Sequence, residues 1–155
     1  MALTRLNHAS MPSGSILQVK QTVMTARQTT TSTSELDITG ASVSITPKFS
    51  NSKILINVAI PCIANDVGTI RSILYRGTTE ITESGLYSLA GGWEALTITM
   101  NFIDSPATAS AVTYKVANQM GAAGSGIYFN YADTNAGFST VNDGRGVITA
   151  TEIAV

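Results

Sequence analysis

Residues 53–64, KILINVAIPCIA, constrain the fold more than any other part of the chain. Read with a period of two, Ile54, Ile56, Val58 and Ile60 share one face, and Leu55, Asn57 and Ala59 share the other. A strand that is apolar on nearly both faces is covered on both. In a small sandwich one of those faces meets the core. The other must meet something else, and a second subunit is the economical answer. Pro61 cannot donate to a ladder, so a bulge or a strand end is expected there.

The same period runs through the rest of the chain. Residues 15–23 (SILQVKQTV) place Leu17, Val19, Gln21 and Val23 opposite Ile16, Gln18, Lys20 and Thr22. Leu36 and Ile38 alternate with polar residues, Gly40 interrupts, Val43 and Ile45 resume, and Pro47 stops the run. Residues 96–102 alternate cleanly, with Leu96, Ile98, Met100 and Phe102 against Thr97, Thr99 and Asn101. Further strands are expected at residues 69–75, 113–119, 127–131 and 146–155. Arg76-Gly77, Asp104-Ser105-Pro106 and Asn142-Asp143-Gly144 mark turns between them. Residues 83–96 are rich in glycine and carry Tyr87 and Trp93. No helical period occurs. Eight to ten short strands with turns between them define an all-β sandwich or barrel. Residues 1–14 are polar and irregular, an extended arm, and residues 15–155 form one domain.

Composition narrows the function. Charged residues are 12% of the chain, about half the usual share, and Ser and Thr fill the gap. A net charge of −1 without a basic run argues against nucleic-acid binding and removes the polybasic route to membranes. No apolar run approaches the ~18 residues of a membrane span. Residues 1–14 lack the apolar core of a signal peptide, so synthesis in a cytoplasm is expected. A surface of hydroxyls and amides suits a protein that lives in contact with other subunits.

Chemistry finds little support. His8, the only histidine, lies in the polar arm, and no serine has a G-x-S-x-G context. Cys62, the only cysteine, sits in the most apolar stretch, where a thiol packs rather than attacks. One His and one Cys cannot build a structural zinc site. Asp133-Thr134-Asn135 is a fragment of a calcium loop without the rest of it. Glu35 and Asp37 share a strand face among Ser and Thr, where carboxylates are solvated and ordinary. We therefore expect no enzyme, no cofactor and no metal. One constellation remains, the aromatic-bearing loop of residues 83–94 with Tyr87, Trp93 and Glu94. It is suited to stacking on a sugar, to capping the core or to meeting a neighbour.

Several segments carry a resemblance. GSILQVKQT, TSTSELDITGASVSITPKFSNSKILINVAI, SILYRGTTEI, FIDSPATASAVTYKV and ITATEI occur here in that order. Together they resemble a recurrent domain of tailed-bacteriophage virion proteins, found in tail fibres and other virion components. The likeness spans about residues 14–155 and is weakest at residues 85–94. The strand order and the LYRG turn are also similar to the tumour-necrosis-factor-type jelly roll. That likeness implies a jelly-roll sandwich of about 8–10 antiparallel strands assembled as a homotrimer. It speaks to architecture and says little about activity.

These readings lead to two expectations. The first is a trimeric capsid decoration (cement) protein bound to the major capsid protein or other virion proteins. In it the arm contacts the shell through Leu3, Arg5, Leu6, His8 and Met11. The second is a tail-fibre tip or receptor-binding module whose aromatic loop faces a host glycan.

Overall fold

The computed structural model describes residues 10–65, 67–88, 92–121, 126–131 and 145–155. Ten strands lie among them: β1 (Ile16–Val23), β2 (Gln28–Thr30), β3 (Leu36–Ile45), β4 (Lys53–Asn65), β5 (Gly68–Arg76), β6 (Thr79–Ser88), β7 (Trp93–Asp104), β8 (Val112–Met120), β9 (Gly126–Phe129) and β10 (Val147–Ile153). No α-helix occurs among the described residues.

The strands form two antiparallel sheets. In the first, β4 pairs with β7 along one edge from Ile54↔Asp104 to Asn65↔Trp93. Its other edge is shared by β10, up to Val147↔Ala59, and by β9, from Cys62↔Phe129 onward. β1 lies outside β10, and β2 lies outside β9. The second sheet has the order β3-β8-β5-β6. The layers β1-β10-β4-β7 and β3-β8-β5-β6, joined in this chain order, make a jelly roll.

The core lies between the sheets, and the alternation in β4 supplies its centre. Ile54, Ile56, Val58, Ile60 and Cys62 are all buried, with Ile98 and Met100 beside them from β7. Phe102 is only half-buried, because β7 is an outer strand of its sheet. β1 departs from the sequence expectation. Its register shifts between Ile16 and Gln18, so Leu17 is buried while Val19 and Val23 turn outward, 54% and 40% exposed.

Pro61 neither bends nor ends β4, which stays in step opposite Thr97. In an extended strand the N and C=O of one residue point to the same side. The Pro61 carbonyl accepts from the Asn130 N–H at 2.8 Å, so its nitrogen points into the gap between β10 and β9, where no ladder acceptor waits. Asn130 fills that gap. It is buried at φ 64°, a left-handed conformation that Asn tolerates. Its Oδ1 accepts from the Gly146 N–H at 2.8 Å, and its Nδ2 donates to the Ala26 carbonyl at 3.1 Å. One side chain thus replaces the ladder where the chain leaves β9 and re-enters as β10.

Two stability predictions follow from this packing. Ile56→Ala should cost roughly 2–5 kcal/mol in urea unfolding, as a cavity in a rigid core does. Asn130→Ala leaves the Gly146 N–H and the Ala26 carbonyl without partners and should cost about 1–3 kcal/mol in the same assay.

Candidate functional site

The outer faces of the two sheets differ in kind. On the second sheet, Ile73 and Ala117 point outward yet have no exposed surface. Long paired side chains ring them. Arg71 binds Glu83 at 2.5 Å and Glu80 at 3.2 Å, Lys115 binds Asp37 at 2.8 Å, and the Lys115 ammonium lies 5.4 Å from the Tyr75 ring centre. A hydrogen bond with Glu35, helped by burial, raises the pKa of Tyr75. Glu35 and Asp37 are therefore members of this cover and not an isolated acid pair. Thr33, Thr69, Arg71, Gln119, Met120 and Gly121 line an open groove of about 330 Å³ at the same face. Its one charged group, Arg71, is already held by two carboxylates.

The first sheet carries no such cover. Its registers bring Val19, Thr151, Leu55 and Ile103 into one outward row, and Val23, Val147, Ala59 and Thr99 into another. Between them run Gln21, Thr149, Asn57 and Asn101, which bond to one another: Gln21 Nε2 to Thr149 Oγ1 at 3.1 Å and Asn57 Nδ2 to Asn101 Oδ1 at 2.6 Å. Among the described residues of β1, β10, β4 and β7, Lys53 at the rim is the one ionisable side chain on this face.

The aromatic constellation is built differently from the sequence expectation. Residues 83–88 and 93–94 are strand and not loop, because β6 pairs with β5 as far as Ser88↔Gly68 and β7 keeps β4 company as far as Asn65. Tyr87 points outward from the second sheet, and Trp93 points outward from the first, so the fold does not join them. Glu94 takes the inward side of β7, half-buried opposite Ala64. Trp93 instead meets Tyr128, with ring centres 5.1 Å apart and planes at 56°. Tyr128 meets Tyr131 edge-on at 5.4 Å, and the Arg27 guanidinium lies 4.4 Å from the centre of the Tyr131 ring. Sequence reasoning missed Tyr128, Tyr131 and Arg27. The signal was present in IYFNY, where alternation buries Ile127 and Phe129 and turns Tyr128 out.

Of the arm residues, Met11 is half-buried, and Leu3, Arg5, Leu6 and His8 lie outside the described residues. So do Asp133-Thr134-Asn135 and Asn142-Asp143-Gly144. The arm joins β1 through Gly14, whose N–H donates to the Ala154 carbonyl at 2.8 Å. Cys62 has no exposed surface, and burial pushes its thiol up to about 12 against a weak opposing hydrogen bond from the backbone of Ile98. A thiol held protonated in the core is no nucleophile. Among the described residues no group of three or more His, Cys, Asp or Glu could hold a metal.

The distinctive segments of the sequence converge on two buried carboxylates. Asp104 of FIDSP accepts two 2.8 Å bonds from Arg76 of LYRG and one of 2.7 Å from the Tyr114 hydroxyl of TYKV. Burial, and then the bond to Asp104, raises the pKa of Tyr114, so the phenol stays a donor. Glu152 of ATEI accepts from Gln18 Nε2 of GSILQ and from the Lys48 N–H of ITPK, both at 2.6 Å. Burial works against its charge. Ser52, Gln18 and the backbone N–H groups of Lys48 and Phe49 outweigh burial and hold the carboxyl below its ordinary 4.5. Ser52 Oγ is buried without a well-formed bond of its own, so the two 2.6 Å bonds carry this site. Glu152, Ile54 and Asp104 stand side by side in one register row. These motifs therefore brace one end of the sandwich.

The fold and these sites define an all-β jelly-roll protein. No protein-family model matches the chain, and no curated protein matches it.

Because the folded pKa of Glu152 lies below its ordinary value, its contribution to stability is present above about pH 4.5 and is lost as pH falls through the folded pKa. The melting temperature should drop on that acid limb. Glu152→Gln should lower the melting temperature at neutral pH and flatten the limb. An unchanged limb in the variant would contradict the assignment.

Proposed function

We propose that this chain is a structural protein of a tailed-bacteriophage virion, a homotrimeric capsid decoration protein that stabilises the shell through contacts with the major capsid protein. One observation carries the reading: the outer face of β1-β10-β4-β7 is uncovered, bears hydrogen-bonded polar side chains, and has no charge apart from Lys53 at its rim. Val19, Val23 and Ile103 on it are 54%, 40% and 54% exposed. Water gains little from such a face, since its amides and hydroxyls bond to one another. A second copy gains apolar burial there and meets no charge but Lys53 at the rim. The opposite sheet needs no partner, because its ion pairs already roof Ile73. The ordered resemblance of residues 14–155 to virion domains supplies the context. The receptor-binding alternative draws its support from the exposed aromatic ridge at Trp93.

In this reading the arm is the shell contact. Fixing each backbone residue costs about 1–2 kcal/mol, so a polar arm needs a partner to order it, with Leu3, Leu6 and Met11 as apolar anchors and Arg5 and His8 at the rim. It then adds a strand to an exposed sheet edge.

Two measurements test the proposal. Native mass spectrometry should give a trimer at micromolar concentration, and Ile103→Lys with Val19→Lys should give a monomer that keeps the β-rich circular dichroism spectrum. A stable wild-type monomer would end the assembly reading. Deletion of residues 2–13 should leave the trimer intact and weaken binding to undecorated phage shells. Undiminished shell binding would refute the arm's role, and adsorption-blocking by free protein that binds no shell would favour the receptor-binding alternative.

A further inference from the structure

We propose that the ridge formed by Trp93, Tyr128 and Tyr131 is a carbohydrate-binding subsite that takes the flat face of a neutral hexopyranose. This goes beyond the virion role proposed above and does not depend on the protein's position in the particle.

Trp93 stands at the start of β7, paired with Asn65, and is 49% exposed. A single exposed ring on a surface needs no explanation. This ring is different because it is buttressed. Tyr128 leans on it at 56°, Tyr131 meets Tyr128 edge-on at 79°, and Arg27 covers the Tyr131 ring at 4.4 Å. The chain of contacts fixes the outermost ring, so little side-chain freedom remains to be lost on binding. Trp93 stays 49% exposed beside this tilted contact, and an aromatic face carries partial negative charge. The axial C–H groups of a pyranose carry the opposite partial charge and present an apolar plane of matching size. The sugar's hydroxyls then need neutral polar neighbours at the rim. Register places Asn65 beside Trp93 and Thr97 four residues along β7, with the Tyr128 phenol on the far side.

The surroundings favour a sugar over a protein. An interface hot spot sits within a ring of contacts that excludes water. Among the described residues its strand neighbours are Asn65, Ala95, Thr97 and Thr29, which are small or hydrated groups. The exposed Ile103 lies at the opposite end of β7, on the order of 33 Å away. No carboxylate shares the outer face of β7, and the side chain of Glu94 takes the inward side.

Trp93 is the only tryptophan, so its fluorescence reports on the subsite alone. The full chain is titrated with cellohexaose, chitohexaose and maltohexaose. At least one should give a saturable change in emission, weakened roughly tenfold in Tyr128→Ala, as loss of one stacking ring predicts, and unaltered in Tyr87→Ala. Tyr128 also lies over Ile63, so Trp93→Ala, followed by retardation in gels holding the matching polysaccharide, guards against misfolding. It should lose retardation and keep the wild-type circular dichroism spectrum. The proposal falls if none of the three sugars alters the emission or if Tyr87→Ala loses binding equally. It also falls if acrylamide cannot quench Trp93 in the assembled protein, because the ridge is then a contact between copies.

Discussion

Everything in the sandwich is hung on β4. Thirteen residues long, it pairs with β7 on one side and with β10 and then β9 on the other. A strand shared by three others cannot move without breaking all three ladders. Its inward side is a column of Ile, Val and Cys with almost no exposed surface. Its outward side, Leu55, Asn57, Ala59, Pro61 and Ile63, sets the character of the whole outer face. Even its proline is spent where a missing N–H costs nothing, in the gap that Asn130 closes.

Strand existence and the identity of the core were legible because period-two alternation is a direct image of burial. Ile54 to Ile60, Ile98 and Met100 read correctly on that ground alone. Register was not legible. The shift between Ile16 and Gln18 turns Val19 and Val23 to solvent, and a shift of one residue leaves no mark in the sequence. The loop expected over residues 83–94 failed for a related reason. Gly85 and Glu83 are poor strand formers by themselves, and pairing with β5 carries β6 through them. The aromatic site was half legible. Tyr87 and Trp93 are near in sequence and lie on opposite sheets, while Tyr128 is far in sequence and touches Trp93.

The ordered motifs of the chain have a physical reading that is independent of any family. Each contributes one group to Asp104 or to Glu152. A buried carboxylate demands donors from several directions, and donors at fixed directions demand particular residues in particular turns. Arg76 ends β5, Tyr114 sits in β8 and Asp104 ends β7, so this cluster ties one sheet to the other. Glu152 ties β10 to the start of β1 through Gln18 and to the connection before β4 through Lys48. Breaking either leaves an unpaired charge or donor in the core.

The two outer faces then divide the remaining work. A sheet face can hide its apolar centre under its own long side chains, as Arg71, Tyr75 and Lys115 do around Ile73, at the cost of ordering them. Or it can keep short side chains and leave the covering to a partner. The first sheet takes the second course: Thr, Ala, Val and Asn dominate its outer rows, and their polar groups pair in the plane. Short side chains lose little entropy when a neighbour settles on them, and a neutral face imposes no charge register on that neighbour. Such a face favours contact between like surfaces, which need only match in shape. The aromatic ridge at the far end of the same sheet breaks that pattern. Its large rings are held in place by one another, a feature that contact with a flat, featureless partner would not require.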